Sequence, residues 1–201
     1  GYHAGRLISS AINNTIVGAL ALDANDIGNH ITAIGQSALS ATNGAKHGAT
    51  AIGYKALHQN VPAATSDYSV GVGFESGDNQ TTGYQNTFLG ASTTGNDASA
   101  VNQTVIGYHA QGQADNSVTL GNDAVTAVYM GDDSGATVHA AGLSVQDTGN
   151  ISTSTFISGI TGDGFKIIDG GADGVSMEID NIMVRNTLRT HIFQKDVVKA
   201  T

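Results

Sequence analysis

The sequence predicts an all-β fold, a parallel β-solenoid built from one short repeat and followed by a different β-rich segment. Three observations predict it: a glycine that recurs every 17 residues or so, an apolar residue directly before each glycine, and a small residue three places after it. Recurrence at a nearly fixed spacing is typical of folds that stack one unit on the next. The repeat therefore predicts stacked coils rather than a globule.

Nine glycines mark the repeat, at spacings of 17, 17, 18, 20, 17, 17, 14 and 10 residues. They are Gly1, Gly18, Gly35, Gly53, Gly73, Gly90, Gly107, Gly121 and Gly131. The preceding apolar residues are Val17, Ile34, Ile52, Val72, Leu89, Ile106, Leu120 and Met130. Three places before the glycine every residue is β-branched: Thr15, Thr32, Thr50, Val70, Thr87, Thr104, Val118 and Val128. Three places after it stand Ala4, Ala21, Ala38, Ala56, Ser76, Thr93, Ala110, Ala124 and Ser134.

Each repeat is predicted to be a short strand that ends at a tight bend. β-Branched residues favour strands, and glycine permits a bend or a close backbone approach. Segments rich in Asn, Asp and Gly, such as residues 25–29, 41–44 and 114–117, predict the connecting turns. Coils of this kind stack about 4.8 Å apart, with like residues above like. The alternative is a β-sandwich with recurring turns, but a sandwich does not keep equivalent columns in register over eight repeats.

Composition indicates that the core is thin and shared between chains. The 201 residues include 27 Gly, one Pro and no Cys, with 40% hydrophobic and 5% aromatic residues. One coil offers little large apolar surface against a backbone ordering cost of about 1–2 kcal/mol per residue. We therefore expect an obligate homotrimer in which partner copies cover a second hydrophobic face. The isolated protomer is not expected to fold.

Charge and hydropathy exclude several classes of partner. The net charge is −9 and no Lys or Arg cluster is present, so nucleic acid is not an expected partner. No apolar run is long enough to predict a membrane span. Residues 1–4 repeat residues 107–110, and Gly1 lies 17 residues before Gly18, so we expect the chain to begin in mid-repeat as an internal piece of a longer fibre.

Residues 32–39 and 50–57 resemble the head repeats of trimeric autotransporter adhesins, in which three chains each form a left-handed parallel β-roll. The same repeats occur in bacteriophage tail fibres, and the stretch from Asn86 to Val145 looks like them. This resemblance covers residues 1–145 and implies a homotrimeric left-handed β-roll. The repeat is longer than in the adhesin pattern, so extra loops are expected to project from the roll.

Residues 156–201 resemble a module of phage tail-associated proteins. No heptads follow Val145, so the coiled-coil stalk of an adhesin is missing. The alternation of Met177 and Ile179 with acidic residues predicts a strand, and residues 162–164 and 169–174 predict turns. From Thr187 onward the sequence is compatible with either a short helix or further strands. The predicted organisation is a roll at 1–145, a connector at 146–164 and a β-rich, intertwined trimeric stalk module at 165–201.

No pattern of catalytic or metal-binding residues stands out. The seven histidines are scattered, which predicts surface positions; three symmetry-related copies of one His holding a metal are a weaker alternative. They are His3, His30, His47, His58, His109, His139 and His191. Asp132–Asp133 and residues 163–173 lack the order of known calcium loops, and residues 71–77 lack the spacing of a nucleotide loop. We expect no catalytic, cofactor-binding or metal site, and a protein that is not an enzyme.

The resemblance implies a structural segment of a trimeric phage tail fibre or spike that positions a host-receptor-binding tip. Its location would be the virion tail, outside the cell. The implied partners are two further copies, other tail or fibre proteins, and a cell-surface polysaccharide or protein of the host. The alternative is the head of a bacterial trimeric autotransporter adhesin that binds host surface or matrix from the bacterial cell surface. A polysaccharide depolymerase is a third class, disfavoured by the absence of Trp and the few aromatic residues.

Overall fold

The computed structural model describes residues 1–24, 27–41, 47–59, 67–132, 136–141 and 144, and the backbone of residues 150–152, 165–169 and 175–179. All regular secondary structure in these residues is β, and none of it is helical. The chain divides into two compact units, Gly1–Ala136 and Thr137–Thr201. The predicted division after Val145 lies outside the described residues.

The first unit contains seven strands of three residues each, all parallel and hydrogen-bonded in chain order. They are β1 (Thr15–Val17), β2 (Thr32–Ile34), β3 (Thr50–Ile52), β4 (Val70–Val72), β5 (Thr87–Leu89), β6 (Thr104–Ile106) and β7 (Val118–Leu120). Like positions pair throughout; for example, Thr15 pairs with Thr32 and Thr32 with Thr50. A parallel β-solenoid with in-register columns is thus confirmed, and the sandwich is excluded.

Each strand ends one residue before a repeat glycine, as predicted. The glycine N–H donates to the carbonyl of the residue before the previous glycine, as in Gly35 N to Val17 O at 2.7 Å. Gly53 has φ +136°, and a Cβ built on it would lie 2.2 Å from the carbonyl oxygen of Gly73. Successive bends are therefore in backbone contact, and this is why the position is always glycine.

A second bend lies two residues after the repeat glycine. The residue at this bend has a left-handed backbone conformation although it is not glycine. The residues are His3, Leu20, Ser37, Lys55, Glu75, Ser92 and His109, with φ between 50° and 58°. Their N–H groups donate to the previous coil, as in Ser37 N to Ala19 O at 2.9 Å. A left-handed conformation costs a non-glycine residue roughly 1–2 kcal/mol. The hydrogen bond to the neighbouring coil offsets part of that cost.

The core lies on the opposite side of the strand from the most regular apolar column. The central residue of each strand faces inward, and Ala33, Ala51, Phe88 and Val105 are fully buried there. The residues directly before the glycines stack in register as predicted but face outward, and Leu89 keeps 46% of its surface exposed. The reason is the period of two along a strand, which turns neighbouring residues to opposite faces.

Side-chain volume in the core is shared between two inward columns. One is the central residue of each strand, and the other is the residue four places after each repeat glycine. In the middle of the roll, Leu57 fills the space beside Gly71, where an added Cβ would lie 2.8 Å from the Leu57 Cγ. One coil later the sizes reverse, because the Phe88 ring fills the space beside Gly77 and would lie 2.7 Å from a Cβ there. A large residue in one column therefore stands against a small one in the other, which keeps the interior close-packed.

The parallel sheet ends at β7, before the last repeat unit that the sequence predicts. No strand forms at Val128–Met130, and Tyr129 is 83% exposed, so the predicted repeat unit at Gly131 is wrong. The spacing of glycines falls from 17 residues to 14 and then to 10. A coil of 10 residues is too short to travel around the section that 17 residues enclose. Ser134, the small residue of that predicted unit, lies outside the described residues.

The second unit contains an antiparallel sheet of three strands in the order β10-β9-β8. The strands are β8 (Asn150–Ser152), β9 (Phe165–Asp169) and β10 (Val175–Ile179). Met177 pairs with Ile167, which confirms the strand predicted around Met177 and Ile179. Asp169, predicted as the first residue of the turn 169–174, is instead the last residue of β9 and pairs with Val175. The other predicted turn residues, 162–164 and 170–174, and the segment from Thr187 onward lie outside the described residues.

The glycine bend yields a paired test. We expect Gly90→Ala to lower the melting temperature of the folded protein, because its Cβ would lie 2.5 Å from the Gly107 carbonyl oxygen at a φ of +136°. The backbone strain alone is worth about 1–3 kcal/mol. Ala91→Ser adds one heavy atom at the next residue and should leave the melting temperature nearly unchanged. Circular dichroism during heating measures both, and equal melting temperatures would contradict the close approach of the bends.

Candidate functional site

The first candidate is an apolar stripe on the outside of the roll, here called the aliphatic ladder. It consists of the residue before each repeat glycine in β1 to β7: Val17, Ile34, Ile52, Val72, Leu89, Ile106 and Leu120. Each is half-buried or exposed. The outward column beside it, three residues before the glycine, holds only Thr and Val. No charged residue therefore interrupts this face over seven successive coils.

The second candidate is a set of aromatic residues that directly follow the repeat glycines; among them, Phe74 is exposed and Tyr54 is half-buried. Tyr54 and Phe74 occupy neighbouring coils and stack with ring centroids 5.1 Å apart and planes inclined by 21°. Lys55 Nζ lies 5.5 Å from the centre of the Tyr54 ring. Tyr2 and Tyr108 hold the same position on other coils and are also exposed. Four aromatic side chains thus share one column.

Paired charges connect the third coil to the fourth. Lys55 Nζ lies 4.0 Å from Glu75 Oε1, and His58 Nδ1 lies 3.9 Å from Asp78 Oδ1. All four side chains are partly exposed, so each pair contributes little, at most about 1 kcal/mol. The second contact becomes an ion pair only when His58 is protonated. These pairs fix the relative position of two coils more than they create a site.

Asp97 has the one resolved pKa shift in the described part of the chain. The hydroxyl of Ser99 and then its backbone N–H, at 2.8 and 2.7 Å, donate to Asp97 Oδ1 and hold the pKa of that carboxyl below its ordinary value of 3.8. The turn is therefore stabilised at pH values above the ordinary pKa. The stabilisation is lost as the pH falls through the lowered value.

The core becomes more polar along the roll, because buried Ser, Asn and Gln side chains join Phe88 and Val105 in the later coils. Four residues before the glycine stand Ser69, Asn86 and Gln103, all buried. The side-chain oxygens of Ser69 and Asn86 accept from the backbone of the next coil, as in Gln103 N to Asn86 Oδ1 at 2.8 Å, whereas Gln103 Oε1 accepts from Asn96 N at 3.3 Å. The amide groups also bond sideways, since Asn86 Nδ2 donates to Ala100 O at 2.6 Å. This network holds the coils in register.

The histidines and acidic residues do not converge. No group of three His, Asp or Glu side chains able to hold a metal is found in the part of the chain that the structure describes. His30 lies beside Asn13 and His47 beside the backbone of Asn29, while His109 and His139 are exposed. Asp132 is exposed, whereas Asp133, residues 163–164 and 170–173 of the acidic loop, and His191 lie outside the described residues. In residues 71–77, which lack the spacing of a nucleotide loop, Gly71 and Gly77 make room for core side chains.

A cavity of about 560 Å³ lies at the end of the roll, lined by His109, Gln111, Gln113, Thr119, Asn122 and Asp123. Thr119 is the inward-facing residue of β7, the last strand of the parallel sheet. The cavity therefore lies beside the last layer of the core, and its lining combines polar side chains with Gly121 and Ala124.

No protein-family model matches this chain, and no curated protein or solved structure shows significant similarity to it. Among the described residues, no helix is long and apolar enough to cross a membrane.

The polar core gives a second paired test. Gln103→Ala removes the Nε2 hydrogen bonds to Asn96 Oδ1 at 2.6 Å and Asp115 Oδ1 at 3.1 Å. We expect a loss of about 1–3 kcal/mol in the free energy of unfolding, because a buried side chain is lost together with its hydrogen bonds. Gln111→Ala makes the same chemical change at an exposed site and should cost less than about 0.5 kcal/mol. Urea unfolding measures both, and equal losses would contradict a structural role for the network.

Proposed function

We propose that this chain is a structural segment of a homotrimeric phage tail fibre or spike, in which the roll and its β-rich continuation position a host-receptor-binding tip. The aliphatic ladder is the observation that carries the proposal. A stripe of seven outward apolar residues without a charge is unusual for a protein that stays alone in water. It suits a chain whose copies lie side by side along their length.

The energetics favour association. Full burial of one Val, Leu or Ile side chain contributes about 1.5–3 kcal/mol. The ladder residues are already partly covered, so burying what remains contributes about half as much, or roughly 5–10 kcal/mol per chain for seven residues. A single roll lacks this contribution, and its core contains many Ala and amide side chains. Association of copies therefore supplies a substantial part of the stability.

The proposed number of copies and the proposed biological setting rest on the resemblance of the repeats to known proteins. Their resemblance to adhesin heads and tail fibres favours three left-handed rolls about a common axis, each turning its ladder inward. The second unit favours the phage fibre over the adhesin. Its described strands form an antiparallel sheet, whereas the segment after an adhesin head is usually a basic neck and a coiled coil.

The trimer is tested by placing a charge in the ladder. At micromolar concentration the unaltered chain should sediment at three times its mass of 20.4 kDa. Leu89→Lys and Ile52→Lys should each abolish the trimer, because three ammonium groups would meet near the axis without partners. Gln111→Lys places the same charge at an exposed site outside the ladder and should leave the trimer intact. A well-folded monomer of the unaltered chain would defeat the proposal.

The setting is tested separately. Gold-labelled antibodies against the roll should decorate the tails of purified phage particles in electron micrographs. Labelling of bacterial outer membranes instead, by a protein that continues into a membrane-anchoring β-barrel, would favour the adhesin.

A further inference from the structure

The residues that directly follow the repeat glycines form an outward column with one gap in its aromatic part. In chain order the column contains Tyr2, Ala19, Gln36, Tyr54, Phe74, Ala91, Tyr108 and Asn122. Backbone hydrogen bonds fix its register: Glu75 N donates to Tyr54 O, Ser92 N to Phe74 O, and His109 N to Ala91 O, at 2.8, 2.7 and 3.0 Å. Tyr54, Phe74, Ala91 and Tyr108 therefore occupy four successive coils.

Where two successive coils carry a ring, the rings stack. The Tyr54–Phe74 pair, with centroids 5.1 Å apart, is the example. Ala91 interrupts the stack, and Tyr108 follows on the next coil. Phe74 and Tyr108 are 52% and 67% exposed. Phe74 and Tyr108 are two coils apart, and each coil adds about 4.8 Å. Their positions on the column are therefore roughly 10 Å apart, so a ring placed midway would lie about 5 Å from each, within the usual range for stacked rings.

We propose that this gap over Ala91, the ring slot, binds one pyranose ring of a glycan between Phe74 and Tyr108. The guest would occupy the place that an aromatic side chain at position 91 would otherwise fill. The C–H face of a pyranose packs on aromatic surface, while its hydroxyl groups require polar partners at the edge. A site of this kind combines aromatic walls with a few placed polar groups.

The polar partners are the next column, two residues after each glycine. Glu75, Ser92 and His109 stand there on the three coils that form the slot. Contacts on neighbouring coils show that the two columns lie side by side: the rings of Tyr108 and His109 are 4.2 Å apart, and Lys55 Nζ lies over the Tyr54 ring. A carboxylate, a hydroxyl and an imidazole can all exchange hydrogen bonds with sugar hydroxyls. A purely apolar ring would make no hydrogen bonds with them.

The inference rests on the proposed function only for the source of the glycan, a cell surface that the fibre contacts. The competing occupant is an apolar side chain of a second copy, because the slot borders the aliphatic ladder across the glycine bend. Only the pyranose makes use of the polar edge. The two proposals fail separately: a trimer that binds no glycoside refutes the slot, and a monomer that binds one refutes the trimer.

The test is saturation-transfer difference NMR on the whole chain with methyl glycosides of glucose, galactose, mannose and N-acetylglucosamine. At least one should show transfer, strongest at the ring C–H protons. Ala91→Phe fills the slot with the protein's own ring and should reduce the transfer at least tenfold, while the melting temperature stays equal or rises. Ala19→Phe is the matched control on the same column, away from the slot, and should keep full transfer.

Phe74→Ala removes one wall and should also reduce the transfer at least tenfold, independently of how Ala91→Phe folds. Three results would each overturn the slot. The first is no transfer from any of the four glycosides, and the second is equal loss in Ala19→Phe and Ala91→Phe. In the third, Ala91→Phe changes the association state but not the transfer, which would assign the space to a side chain of the partner copy.

Discussion

The contact between successive glycine bends is the constraint on which the rest of the structure depends. The backbone of one bend touches the next, so that a Cβ on Gly18, Gly35 or Gly53 would overlap the carbonyl group of the following glycine. This contact sets one coil directly above another and allows no drift along the axis. Every column of side chains, inward or outward, inherits its alignment from it. The parallel pairing of like residues from β1 to β7 is the consequence.

A coil of about 17 residues encloses a narrow interior. This limit explains both the composition of the core and the apolar stripe on the outer face. The interior holds few large side chains, so the first coils fill it with Ala, Ile and Leu, and the later coils with Phe88, Val105 and hydrogen-bonded amides. Further apolar residues stand outside, on the aliphatic ladder. The thin core and the outward apolar stripe therefore have one geometric origin.

The sequence predicted the strands and their register but not which face is the interior. The columns around each glycine located all seven strands of the roll, because β-branched residues and glycine act through local backbone geometry. The uniform column at Val17, Ile34 and Ile52 lies on the outer face. The true inward column is irregular, with Ala33, Gly71 and Phe88, because it shares its volume with a second column of opposite size. Such compensation involves residues on different coils and does not show in one repeat.

The outer surface of the roll has two kinds of column, the aliphatic ladder and the column that follows the glycine bend. The ladder presents one chemistry along its whole length, without a polar member. The column after the glycine bend is not uniform, and it varies from Ala and Gln to Tyr and Phe. Its variation is confined to side chains, since the backbone beneath it repeats from coil to coil. A repeating backbone therefore places different side chains at fixed intervals of one coil. Side chains on this column can vary without disturbing the in-register stacking of the coils.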